Sequence, residues 1–263
     1  MPRQARESSG TGVYHVMMRG INHQNIFEDQ EDYYQFLNTL DLMAQSYEPD
    51  GTPSGRNYLL YAYCLMSNHI HLLIREREDK IGMAIKRIAS SYVYYYNHKY
   101  SRDGHLFRER FKSEPVNDMA YFVTLLRYIH QNPVKAGIVN KVDDYEFSSW
   151  HEYMDKNSTL FPLCDTRTVL NRIPFDELNE LVNEPLSDDI VCLDIEDASK
   201  GRPSDDQVMM LIKERTGATN SSAFQRLNDD IRRAVLKNLK EIGASHRQLA
   251  RLTGIGRGVI QGI

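Results

Sequence analysis

The sequence is short of cysteine, has no long apolar run and carries no large surplus of either charge. Cys64, Cys164 and Cys192 are odd in number and far apart, which excludes a disulfide framework or a zinc knuckle and fits reduced thiols. No stretch approaches the roughly 20 apolar residues that a membrane span needs. The opening MPRQARESSG lacks the apolar segment of a signal peptide, so a cytoplasmic protein without membrane attachment is expected. A net charge of −4 does not mark a nucleic-acid binder by itself.

The average hides segregation. Residues 82–135 hold nine Lys and Arg against four Asp and Glu, and residues 201–263 hold eleven against six. Between them, residues 156–200 reverse the balance, four against ten. Two basic regions around an acidic spacer suit local phosphate contact, although solvated charged faces would read the same way.

At 263 residues with 41% hydrophobic content, the chain can hold one large domain or a medium and a small one. GVYHVMMRG (12–20) alternates between flanking glycines and predicts a strand, and residues 29–47 carry apolar residues at helical spacing. EPDGTPSGRN reads as a turn-rich loop. YLLYAYCLM and HIHLLIRE predict two strands, which Ser67-Asn68 can join as a hairpin. Residues 81–100 predict a second helix with Ile81, Ile85, Ile88, Tyr92 and Tyr95 on one stripe. A basic loop and a short strand follow. Residues 117–132 predict a third helix, capped by Asn or Asp and stopped by Pro133. The order β-α-β-β-α-β-α predicts an α+β fold: a ferredoxin-like, RRM-like antiparallel sheet with its helices on one face. After Trp150 the texture turns acidic and loop-rich, then helical and basic. The expected division is a domain at 1–155, an acidic linker with partial structure at 156–203 and a helical tail at 204–263.

His69 and His71 stand one residue apart in an apolar run. On a strand both imidazoles project from one face, while Ile70 and Leu72 point the other way into a core. Such a pair can hold a metal ion, or can simply be polar residues on an open sheet face. A histidine-triad nucleotide hydrolase wants a third alternating histidine, and position 73 is Leu. On the third helix, Tyr128 and Asn132 are four apart and share a face. Two imidazoles and an amide can ligate a divalent cation, and a phenol beside that cation can attack phosphorus. A free phenol titrates near pH 10 and needs such help. No nearby carboxylate completes a harder site, so the donors alone suit zinc or manganese better than magnesium.

The blocks MSNHIHLLI, SSYVYYYNHKYSRDGHLFRERFKS and LLRYIHQNPVKAGIV together resemble the REP-associated tyrosine transposases, relatives of the small single-strand insertion-sequence transposases. The match runs over about residues 10–150 in uninterrupted order, and the His-hydrophobic-His triplet is similar to the HUH signature of that nuclease superfamily. The resemblance implies that His69, His71 and Asn132 bind Mg2+ or Mn2+ and that Tyr128 is the nucleophile. It implies that Gly104, Leu106, Arg110, Phe111 and Lys112 form a basic loop near DNA, with Arg108, Arg110 and Lys112 as the expected DNA contacts. Tyr92, Tyr95 and Tyr96 then read as a core stripe, and Tyr94 or Tyr100 as surface contacts. His15, His98, His105 and His130 are not expected as ligands.

GASHRQLARLTGIGRGVIQGI resembles the helix-turn-helix tails of some members of that family, at about 245–262. Leu249 and Ile260 would fill its core, Ala250 would sit where the helices cross and Gly254 would make the turn. Arg257 and Gln261 would reach base edges in the major groove. The expected activity is metal-dependent cleavage and strand transfer of single-stranded DNA near hairpins, through a 5′-phosphotyrosine, by a monomer or a homodimer. Repetitive palindromic elements are the expected DNA partner. The alternative is a non-catalytic, sequence-specific DNA-binding regulator derived from a transposase.

Overall fold

Alternating apolar residues in three stretches of the first 76 residues build a sheet, and helical stripes cover it. The computed structural model describes residues 6–108, 110–154, 162–187, 192, 203 and 205–263, which divide into two compact units, 1–193 and 194–263. In chain order the first unit runs β1 (Val13–Arg19), α1 (Gln30–Ala44), β2 (Gln45–Tyr47), β3 (Pro53–Arg56), β4 (Tyr58–Met66), β5 (His69–Glu76), α2 (Ile81–Lys99), β6 (Lys112–Val116) and α3 (Met119–Lys135). It continues with α4 (Trp150–Met154), α5 (Thr166–Leu170) and α6 (Phe175–Asn183).

The main sheet has the order β4-β5-β1-β6 with every pairing antiparallel, which is the strand order of a ferredoxin-like sheet. Ser67-Asn68 closes the β4–β5 hairpin as expected. A bulge between Leu60 and Ala62 shifts the alternation of β4, so Tyr61 and Ala62 both turn to one face. A second, small hairpin pairs β2 with β3. The expected helix over 29–47 therefore ends at Ala44, where Gln45 takes extended angles and the chain enters this hairpin.

One face of the main sheet presents Tyr14, Val16, Met18, Leu65, Ile70, Leu72 and Ile74 to α1 and α2, which supply Phe36, Leu40, Ile85, Ile88, Tyr92 and Tyr96. The other face presents Val13, Ala62, Cys64, Leu73 and Val116 to α3, which supplies Phe122, Leu125, Leu126 and Ile129. The helices thus lie on both faces, not on one as expected. The first face is already filled by α1 and α2, and the apolar stripe of α3 has to be buried against the second.

Two further expectations change. Asp118 caps α3 by accepting from the Tyr121 amide at 2.8 Å, but the helix does not stop at Pro133. It runs on to Lys135, because the missing amide of a proline costs one bond in the last turn only. Ala136 donates to the Asn132 carbonyl at 2.9 Å, and the chain leaves through Gly137 at φ 70°. The segment expected as a linker is also more structured. Of 156–203, residues 156–161, 188–191 and 193–202 lie outside the described residues, but Val169, Ile173, Leu178 and Val182 pack into the α3 core. Gln131 donates to the Val182 and Glu184 carbonyls, both at 2.7 Å.

The second unit contains α7 (Asp205–Thr216), α8 (Ser221–Gln225), α9 (Asp229–Glu241), α10 (His246–Thr253) and α11 (Arg257–Gln261). Val208, Ile212, Phe224, Leu236, Leu239, Leu249 and Ile260 form its core. Among the described residues no helix is long and apolar enough to cross a membrane.

Candidate active site

The register of three strands decides which polar side chains meet. β1 pairs with β5 so that Met17 faces His71 and Arg19 faces His69, and β1 pairs with β6 so that His15 faces Glu114 and Met17 faces Lys112. Side chains alternate, so His15, Arg19, His69, His71, Lys112 and Glu114 belong to the face that α3 covers. His69 and His71 are therefore not on an open face: His71 is fully buried and His69 is 7% exposed. Their rings are 5.1 Å apart at 90°, edge to face, because each is held by a different partner. His69 Nδ1 lies 2.7 Å from the Asn68 side-chain oxygen, and His71 Nδ1 lies 3.0 Å from His15 Nε2.

α3 brings Tyr128 onto this cluster. Its ring packs edge-on against His71 at 5.5 Å and against His15 at 5.9 Å, and it is 4% exposed. Asn132, one turn later, is also buried. Lys135, exposed at the helix end, places its ammonium 5.8 Å from the centre of the Tyr128 ring. Burial holds His15 and His71 as neutral imidazoles: His15 falls to about 3, and His71 falls well below the ordinary range, first by desolvation and then through His69 and His15. The His71 Nε2 atom is buried and has no hydrogen-bond partner among the described residues. A buried ring nitrogen without a protein partner is where a cation could be held, so the donor set fits a divalent metal. No group of three or more His, Cys, Asp or Glu is placed to hold a metal among the described residues.

The basic loop docks at the same end of the sheet. Ile21 donates to the Leu106 carbonyl at 2.9 Å, Gly20 bridges Phe107, and the Arg108 amide donates to the Arg19 carbonyl at 2.9 Å. Arg108 and Arg110 are exposed, and Lys112 is half-buried at the start of β6. Arg6 lies 3.7 Å over the Phe111 ring. Gly104 takes φ 93°, which a side chain would strain.

The tyrosines of α2 take other roles. Tyr92 is fully buried with its hydroxyl on the Ile26 carbonyl at 2.5 Å, and Tyr96 is buried beside it. Tyr95 and Tyr100 donate to Asp32 at 3.1 and 2.8 Å, whereas Tyr94 is 78% exposed. His130 turns away from the cluster, as expected, and its Nε2 meets Ser149 Oγ at 2.8 Å. Arg257 and Gln261 are exposed on α11, in the second unit.

Sequence reading missed His15, Arg19, Glu114 and Lys135. His15 stands in an alternating strand, but its relation to His71 depends on the β1–β5 register, which no local pattern carries. Glu114 shares the histidine face and accepts from Tyr121 at 2.6 Å, but among the described residues no carboxylate joins the two histidines in a metal-holding group.

This fold and cluster define a class: an antiparallel α+β domain with paired histidines on a central strand and a tyrosine on the covering helix. Residues 9–132 match the family described as Transposase IS200 like. A curated protein of Haemophilus influenzae, named as a REP-associated tyrosine transposase, is 28% identical over 112 residues. That match covers 38% of this chain and 62% of the relative, so the chain spans less than two thirds of the relative's length. A solved structure of the REP-associated tyrosine transposase bound to a REP hairpin is similar over 62% of this chain and 90% of that one, with 19% identity and a TM-score of 0.47. Residues 9–132 are thus similar to the IS200-like transposases, and the expected resemblance to the REP-associated tyrosine transposases is borne out.

Proposed function

We propose that the chain is a divalent-metal-dependent endonuclease and strand transferase that acts on single-stranded DNA near hairpins. The observation that carries this reading is the packing of the Tyr128 ring against His71, whose Nε2 is buried and has no hydrogen-bond partner among the described residues. His69, His71 and Asn132 would hold Mg2+ or Mn2+. A cation held there polarises the phosphodiester and offsets charge that develops on its oxygens.

The other parts are the chain's own. Tyr128 attacks phosphorus, its oxygen forms the new P–O bond, and the bond to the 3′ oxygen breaks. The phenol proton is passed on and the leaving oxygen takes one up, which yields a 5′-phosphotyrosine and a free 3′-OH. One phosphodiester replaces another, so a different 3′-OH can reverse the step without an energy source. The rigid last turns of α3 hold the phenol where position matters most to rate. Lys135, Arg108, Arg110 and Lys112 supply positive charge for the backbone of the DNA, and the name of the Haemophilus influenzae relative supports repetitive palindromic DNA as the partner.

In the second unit, α10 and α11 act as a helix-turn-helix. This is supported by buried Leu249 and Ile260 and by Gly254 at φ 69°, where an added Cβ would overlap the Gln225 side chain. Arg257 and Gln261 are the base contacts.

The test is a denaturing gel with labelled single-stranded hairpin DNA and Mn2+. Cleavage with a protein-linked band from the wild type, both lost in Tyr128→Phe, is the expected result. Intact DNA binding with no cleavage by the wild type would instead favour a DNA-binding regulator.

A further inference from the structure

His15 lies outside the motifs that mark this family, yet it is the only side chain within hydrogen-bond distance of His71 Nδ1 among the described residues. The two rings are 25° from parallel with centres 5.2 Å apart. With the nitrogens 3.0 Å apart, the contact runs along the line between ring centres, so it is an in-plane hydrogen bond. One proton lies between two neutral rings, and its owner decides what the far side of His71 can do. If His15 donates, His71 keeps its own proton on Nε2 and offers no lone pair there. If His71 donates, its Nε2 is bare.

His69 supplies the comparison. Its Nδ1 faces a side-chain oxygen of Asn68, which can only accept, so His69 carries its proton on Nδ1 and directs a lone pair through Nε2. For both histidines to aim lone pairs at a common cation, His71 must adopt the same tautomer. We infer that His15 is the positioning residue of the metal site: its Nε2 accepts from His71 Nδ1–H, fixing the ring's tautomer and orientation. The inference rests on the metal reading proposed above, and extends it to a residue on a different strand.

The burial of the pair supports this role. Both rings are fully enclosed, so water cannot take the place of either partner. His15 is also held edge-on by Tyr128, so one imidazole braces a ligand on one side and the nucleophile's ring on the other. Loss of such an outer partner weakens metal binding about 10- to 100-fold.

The test uses the full chain and three proteins: wild type, His15→Leu and His15→Gln. Leu fills space and accepts nothing; Gln can set an amide oxygen where Nε2 stood. Calorimetric titration with Mn2+ should show affinity about 10- to 100-fold weaker for His15→Leu and largely restored in His15→Gln. Nitrogen-15 NMR on the metal-free wild type, with His71 assigned through His71→Gln, should show the proton on Nδ1. Wild-type affinity in His15→Leu, or a proton on Nε2 in the wild type, overturns the inference. The NMR arm needs no variant at position 15 to fold. A wild type that binds no Mn2+ while His71 is protonated on Nδ1 would overturn the metal reading itself, and so is distinct from the failure of His15's role.

Discussion

The two faces of the main sheet are buried to the same depth but are built differently. Toward α1 and α2, β5 sends Ile70, Leu72 and Ile74, and three tyrosine hydroxyls at this core donate to backbone carbonyls or a carboxylate: Tyr92 to Ile26, Tyr58 to Leu40, Tyr100 to Asp32. Toward α3, the same strand sends His69 and His71, and β1 adds His15. A core of the first kind gains stability from apolar burial at about 25 cal/mol per Å2. The second face has an apolar core of its own but adds buried imidazoles to it, and among the described residues His71 Nε2 has no hydrogen-bond partner. The lesson is that one face is built almost wholly of apolar side chains, while the other sets buried histidines into its apolar core.

The largest expected effect separates a tyrosine on each face. Tyr128→Phe should reduce cleavage of hairpin DNA by on the order of 10³-fold or more with the fold intact. Tyr92→Phe should leave cleavage in place and cost about 1–3 kcal/mol, since the Ile26 carbonyl loses its buried donor. A protein-linked band on a denaturing gel, read beside denaturant unfolding, checks both. A band from Tyr128→Phe would break the comparison.

Neighbours on one strand sharpen it next. Leu72→Ala should lose about 2–5 kcal/mol of stability, the cost of a cavity in the packed face. His71→Gln should lose Mn2+ binding with a smaller change in stability. Unfolding curves and calorimetry on the two variants give the answer; equal stability losses would mean that the histidine face is an ordinary core.

A third test lies at the β4 edge, where burial raises the Glu152 carboxyl to about 7 although the Cys164 amide donates to it at 2.7 Å. The folded state therefore holds this proton more tightly than the unfolded chain does. Its contribution, about 3 kcal/mol, is complete below the ordinary carboxylate range near 4.5 and is lost as pH rises through about 7. Glu152→Gln should remove that loss, so the variant's stability relative to wild type should rise between about pH 5 and about pH 8. An unchanged difference across that range would show that the side chain is not buried as described.

The smallest effect concerns the second unit. Arg257→Ala should weaken DNA binding by about 1–3 kcal/mol if the arginine reads a base, with a loss that depends on sequence. A uniform loss with a salt slope reduced by about 1 would make it a phosphate contact instead.

Much of this was legible in the residues. Alternation marked β1, β4 and β5, and Ser67-Asn68 marked the hairpin, because strand period and turn chemistry are local. Asp118 announced the start of α3 for the same reason. Its end was misread at Pro133: a proline's cost depends on which amide is lost, and the last turn loses little. The His69–His71 pair and the Tyr128–Asn132 spacing were visible, since two-residue and four-residue repeats fix a shared face. What only the tertiary structure decided is which faces meet. The β1–β5 register set His15 against His71, α3 crossed to the face that α1 and α2 had left open, and Glu114 came to the histidine face with β6. The His15–His71 contact joins residues 56 positions apart, and no local pattern carries a register; it is set when apolar faces are buried together.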